Sequence, residues 1–112
     1  MIKFLKGVPG SVIEGYIIAN GRARKITVGT DIKLISRNDT NNDLLFVLVT
    51  PDTSDSDAVV EFYGNGSGNY GVPIDKFPMV FVLKPHKALY ATCMTGAGTV
   101  TLYVYELNEG GN

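Results

Sequence analysis

The chain has 112 residues, enough for one domain that buries roughly two-thirds of its unfolded surface and folds without metal or disulfide staples. Hydrophobic residues at 45% against 19% charged exclude wholesale disorder, and 13 glycines with 5 prolines argue against a helical fold. Ten Lys and Arg against eleven Asp and Glu leave a net charge of -1, which removes the electrostatic footprint of a protein that binds the nucleic acid backbone non-specifically.

Residues 1–10 are punctuated by Lys6, Pro9 and Gly10 before an apolar run of signal-peptide length develops, so they are expected to form an N-terminal arm rather than a secretion signal. Segments rich in Val, Ile, Tyr, Phe and Thr then recur between turn residues, at 11–19, 23–28, 31–36, 44–50, 58–63, 79–83, 88–94 and 99–107. This spacing predicts an all-β fold, an antiparallel, jelly-roll-like β-sandwich of about eight strands. Asn20-Gly21 is expected to turn a tight hairpin between the first two strands, because both residues tolerate positive φ. No segment reads as a convincing amphipathic helix. The expected organisation is an arm over 1–10, a single sandwich domain over 11–107 and a tail over 108–112.

The last strand alternates, with Val100, Leu102 and Val104 on one face and Thr99, Thr101, Tyr103 and Tyr105 on the other. By contrast, residues 44–49 and 79–83 are apolar on both faces, whereas a two-layer sandwich gives each sheet only one dry side. The second face therefore needs cover, from a long loop, from the N-terminal arm or from another protein. Two loops stand out: the acidic 50–57 and the glycine-dense 64–71.

Chemical motifs are scarce. Gly66-Ser67-Gly68-Asn69-Tyr70-Gly71 has the spelling of a dinucleotide fingerprint, but Val72-Pro73 follows where a helix must begin. Asp52, Asp55 and Asp57 lack the glycine turn and terminal Glu of a calcium loop and read as a solvated turn, although this loop is the first place to look for a divalent ion. Cys93 is the single cysteine and His86 the single histidine, so neither a disulfide within the chain nor a Cys/His zinc site can form. Cys93 reads as a small core residue, His86 as a turn residue between Lys84 and Lys87, and a Cys93/His86 nucleophile pair would require the fold to bring them together. Asn38 and Asn65 begin glycosylation-type triplets but read as turn residues. No catalytic group, cofactor or metal site is expected. Apolar runs of five or six residues are far short of the roughly 20 needed to cross a bilayer, so a soluble protein is expected. Six tyrosines could form a stacking platform, with Tyr63 and Tyr70 as its foremost members, and Arg22, Arg24 and Lys25 form the one basic cluster.

From Lys25 to Leu107 the layout resembles small β-sandwich proteins of tailed-bacteriophage particles, the capsid-decorating or cement type and related minor head proteins. The resemblance rests on Ile26-Thr27-Val28-Gly29-Thr30, on Asp43-Leu44-Leu45-Phe46-Val47-Leu48-Val49, on residues 83–92 with their proline, turn and Leu89-Tyr90-Ala91 strand, and on the closing Gly/Thr turn and alternating strand of 96–106. It implies a non-enzymatic virion protein, made in the host cytoplasm, that forms homo-oligomers, trimers foremost, and binds the major capsid protein at subunit junctions with no direct contact to nucleic acid or membrane. Ile2, Phe4, Leu5 and Val8 are the expected anchoring residues, with Arg22, Arg24 and Lys25 as polar contacts. A carbohydrate- or receptor-binding sandwich of a phage tail or neck is the alternative reading.

Overall fold

The computed structural model describes residues 10–94 and 98–110. A helix, α1 (Gly10–Asn20), precedes eight strands: β1 (Arg22–Val28), β2 (Lys33–Arg37), β3 (Leu45–Pro51), β4 (Val60–Tyr63), β5 (Val72–Ile74), β6 (Met79–Leu83), β7 (Ala88–Cys93) and β8 (Val100–Asn108). They form two antiparallel four-stranded sheets, ordered β1-β8-β3-β6 (sheet A) and β2-β7-β4-β5 (sheet B). The pairings β1·β8, β2·β7, β3·β6 and β4·β5 are nested, first strand with last and inward to the middle. This is a long antiparallel ribbon rolled into a two-sheet sandwich, the jelly-roll arrangement.

The expected number of strands is right, but the membership differs. Residues 11–19 are helical rather than extended, and Asn20-Gly21 ends that helix rather than turning a hairpin. The Asn20 side-chain amide donates to the Tyr16 carbonyl at 3.0 Å and the Gly21 N–H donates to the Ile17 carbonyl at 2.7 Å, satisfying carbonyls that the helix leaves open. Gly21 is sterically required, since a Cβ there would stand 2.6 Å from the Ile17 oxygen and 2.9 Å from the Glu106 oxygen. The eighth strand is instead β5, three residues long and centred on Pro73. Proline is tolerated there because β5 is a sheet edge.

The core lies between the inner faces. Val28, Val47, Val49, Val100, Leu102 and Val104 from sheet A meet Ile35, Val60, Phe62, Leu89, Ala91 and Cys93 from sheet B. The expected core face of the last strand is therefore observed. A bulge at Leu34/Ser36 in β2 turns two consecutive residues inward: Ile35 enters the core while the Ser36 hydroxyl donates to Glu106.

Each sheet also has its outer face partly roofed. Ile17 of α1 is fully buried against Leu48 and Leu107, with Ile13, Tyr16, Phe46, Val80 and Tyr105 packed around them. Ile13, Tyr16 and Ile17 share one face of the helix by their i, i+3, i+4 spacing. Over sheet B the loop 64–71 comes down on the Tyr63 ring. A Cβ at Gly71 would stand 2.6 Å from Glu61 Cγ and closer still to that ring, so both side chains lie directly against the Gly71 backbone. No helix among the described residues is long and apolar enough to cross a membrane.

At one end of the sandwich Asn38, 1% exposed, ties three segments together. Its side-chain amide donates to the Asp43 and Leu83 carbonyls, both at 2.8 Å, and its oxygen accepts from the Thr40 N–H and hydroxyl. Its backbone N–H donates to the Lys87 carbonyl, and its carbonyl accepts the His86 N–H. Every side-chain hydrogen-bonding group of this asparagine is used, and the position is closed to glycan attachment in the folded protein.

Two stability outcomes are expected in urea denaturation. Ile17→Ala, which empties the contact between α1 and sheet A, should cost about 2–5 kcal/mol. Asn38→Ala, which removes four side-chain hydrogen bonds and takes the amide donor from the buried Leu83 carbonyl, should cost about 2–4 kcal/mol. A loss under about 0.5 kcal/mol in either would show that the contact contributes nothing to folding.

Candidate interaction surfaces

The basic cluster sits on β1, an edge strand of sheet A, and its three cations do different things. Arg24 lies opposite the core residue Val104 in the β1·β8 register, so its side chain turns in at the mouth of the sandwich. There it pairs with Glu106, Nε to Oε1 at 3.3 Å, and donates to the Ile35 carbonyl across the gap between the sheets. Glu106 also accepts the Ser36 hydroxyl. Arg24 thus closes one open side of the sandwich, and this role competes with any contact to a partner. Lys25 faces outward with its ammonium 5.7 Å from the centre of the Tyr103 ring, a cation–π distance. Arg22 is exposed and lines a groove of about 450 Å³ with Arg37, Asp39, Thr40, Leu45, Glu106 and Asn108. Ile2, Phe4, Leu5 and Val8 lie outside the described residues.

Arg37 and Asp39 are shared with a second polar groove of about 420 Å³, whose further walls include Asn65, His86, Lys87 and Tyr90. The two grooves adjoin at these shared residues, next to Asn38. His86 holds φ of 64° at the β6–β7 turn, and its Nε2 lies 3.0 Å from Asn41 Oδ1. Cys93 is buried in the core at the far end of β7, roughly 20 Å away at the rise of a strand. The fold therefore separates His86 and Cys93 instead of pairing them.

The opposite end of the sandwich carries the acidic loop. Asp52 accepts from the Ser54 hydroxyl at 2.8 Å and from Tyr103 at 3.3 Å, and Asp55 accepts the Thr101 backbone N–H at 2.9 Å. The carboxylates staple the loop to β8, and no cluster of three metal-ligating side chains occurs among the described residues. The Ser54 hydroxyl holds the Asp52 carboxyl below its ordinary value against an opposing desolvation, with help from Tyr103, the Thr53 backbone and Lys25.

The tyrosines do not make one platform. Tyr63 is buried, its hydroxyl donating to Glu61 at 2.8 Å and 3.0 Å from the Thr92 hydroxyl. Tyr70 is the reverse, 96% exposed at the tip of the glycine-dense loop with φ of 60°. A bulky residue in left-handed backbone is strained, and the side chain returns nothing to the fold for it. Sequence reasoning treated Tyr63 and Tyr70 alike, whereas only the second is free to touch a ligand.

Comparison with family models, with curated proteins and with solved structures returns no match.

Two measurements test these assignments. Tyr70→Gly should leave stability unchanged or raise it by up to about 1 kcal/mol, and a loss would mean that the ring packs in solution. Because the folded Asp52 carboxyl titrates low, its contribution is complete above the ordinary carboxylate range and is lost as pH falls through the folded value. Asp52→Asn should therefore flatten the acid limb of the stability profile and leave its alkaline side unaltered.

Proposed function

We propose that this chain is a structural virion protein that binds the outside of a phage capsid at subunit junctions and stabilises the shell. The observation that carries the reading is the nested eight-strand roll, an architecture on which viral shell domains are built. That support is an analogy of fold. The likeness in layout to cement proteins and the broad, shallow, polar grooves, suited to a protein surface, add to it.

In this reading the partners are the major capsid protein and further copies of the chain. Residues Ile2, Phe4, Leu5 and Val8 anchor to the shell, and Arg22 and Lys25 of β1 add polar contacts. Arg24 shapes that surface through its bond to Glu106. Each bound copy adds buried area across neighbouring capsomers, so that opening the shell also requires breaking these contacts. Repetition over a symmetric lattice multiplies weak single contacts into firm attachment.

Co-sedimentation with purified empty heads tests the proposal. Removal of residues 1–8 should reduce attachment at least about tenfold while leaving the circular dichroism spectrum of the sandwich intact. Full attachment of the truncated chain would refute the role of the arm, and no attachment of the intact chain would refute the capsid reading.

One observation favours the alternative, a carbohydrate- or receptor-binding sandwich of a tail or neck: the exposed ring of Tyr70. Binding on a glycan array that is lost in Tyr70→Ala would transfer the function to that loop. Tyr63→Ala is the wrong probe, because Tyr63 is buried and its loss reports on folding.

A further inference from the structure

A two-sheet sandwich has four edge strands, here β1 and β6 in sheet A and β2 and β5 in sheet B. An edge is a row of unpaired backbone donors and acceptors, and native proteins blunt it with charge, proline, bulges or brevity. Three of these edges are blunted. β1 carries Arg22, Arg24 and Lys25, with Arg24 turned inward; β2 carries Lys33, Arg37 and a bulge; β5 has three residues, one of them Pro73. β6 has none of these devices. Its five residues, Met79-Val80-Phe81-Val82-Leu83, contain no charge and no proline.

The flank beside β6 is also apolar. Three of the six large exposed hydrophobics, Tyr70, Val72 and Val82, lie on β6, on β5 or in the loop before β5, while Ile18, Leu34 and Met94 lie elsewhere. An apolar groove of about 300 Å³ opens between these edges, its walls including Val72, Ile74, Met79 and Phe81. Helix α1 packs over β3 and β8, so it leaves Val82 at 52% exposure.

The occupant follows from the strand's own pattern. Met-Val-Phe-Val-Leu reads nearly the same in both directions about Phe81. A two-fold axis there would pair Val80 with Val82 on the outer face, Phe81 with Phe81, and Met79 with the similarly sized Leu83 on the inner face. Every cross-strand pair is then apolar on apolar. Charge agrees with this direction: the nearest flanking charges are Asp75 and Lys76 before the strand and Lys84 after it. Antiparallel pairing brings the offsetting pair Asp75 and Lys76 of one copy to the end where Lys84 of the other emerges, whereas parallel in-register pairing sets each of these charges beside its like. A head-to-tail contact with β1 would bring three cations to a strand with no acid to receive them.

We infer that β6 is a self-association edge, at which two copies pair β6 to β6 about a two-fold axis through Phe81 and join their A sheets into one. The assembly is an isologous dimer, not the three-fold one that the likeness to cement proteins implies. The second copy's Met79 and Phe81 cover the mouth of the apolar groove. This inference stands apart from the capsid reading: a monomer that still binds shells would overturn it alone, and a dimer that binds none would overturn only the other.

The test is the solution mass of the intact chain by sedimentation velocity. The wild type should sediment as twice 12.1 kDa, and Val82→Lys, which places a charge on the exposed outer face of the strand, should weaken association roughly tenfold or more. Lys25→Glu on the opposite edge should leave the dimer intact. A wild type that is monomeric or trimeric throughout, or a folded Val82→Lys variant that associates like the wild type, overturns the inference. Hydrogen exchange on the wild type alone provides a check that needs no variant: amides of residues 79–83 should slow with rising concentration, and concentration-independent exchange there is equally contrary.

Discussion

Leu48 and Leu107 stand on the outer face of a sheet that already buries its inner face, and the molecule folds as it does because Ile17 takes them out of water. A strand such as Leu45-Phe46-Val47-Leu48-Val49 has no polar side to offer solvent. Full burial of one such aliphatic side chain is worth about 1.5–3 kcal/mol, so leaving several exposed would consume much of the stability of a small domain. The helix solves this with a single face. Its position then dictates the next step of the chain, because Gly21 must pass between the Ile17 and Glu106 carbonyls to start β1.

Once α1 is docked, the two open sides of the sandwich differ in kind. On the β1/β2 side, Arg24, Glu106, Ser36 and the Ile35 carbonyl make a polar closure, and the Lys33 ammonium donates to the Thr27 carbonyl at 3.0 Å. On the β5/β6 side the contacts are aromatic: the Phe62 ring lies 4.7 Å from Phe81 and 6.4 Å from Phe77, centre to centre. Polar networks are exacting in geometry and resist rearrangement. Apolar edges are permissive and accept whatever covers them. The molecule thus has one side that is chemically finished and one that is not.

Much of this was legible beforehand because period-two alternation survives in strands with one wet face. The inward Val100, Leu102 and Val104 are evident from the sequence, as is the excess of apolar surface in residues 44–49 and 79–83. The helix was not legible, since Val12, Ile13, Ile17 and Ile18 are β-branched and favour strands locally. Docking on a ready-made apolar surface overrides that preference, and the one available signal was the 13, 16, 17 spacing. Asn20-Gly21 has two structural meanings, hairpin turn or helix stop, and only the element before it decides between them. The divided labour of Arg22, Arg24 and Lys25 was hidden for a different reason: it depends on β8 lying alongside, more than 75 residues on in the β1·β8 register. The anchoring residues expected at positions 2, 4, 5 and 8 lie outside the described residues.

The nested pairing also determines where foreign sequence can be grafted. Because β1 and β8 run antiparallel with Arg22 opposite Glu106, the start of the first strand and the finish of the last emerge together, at the end of the roll where α1 and Asn38 sit. A passenger peptide fused behind β8 would leave the body at that end, next to the start of β1. The loop between β3 and β4 lies at the far pole, so an epitope spliced there at the exposed Ser56 would point away from that end and leave the Asp52 and Asp55 staples to β8 in place.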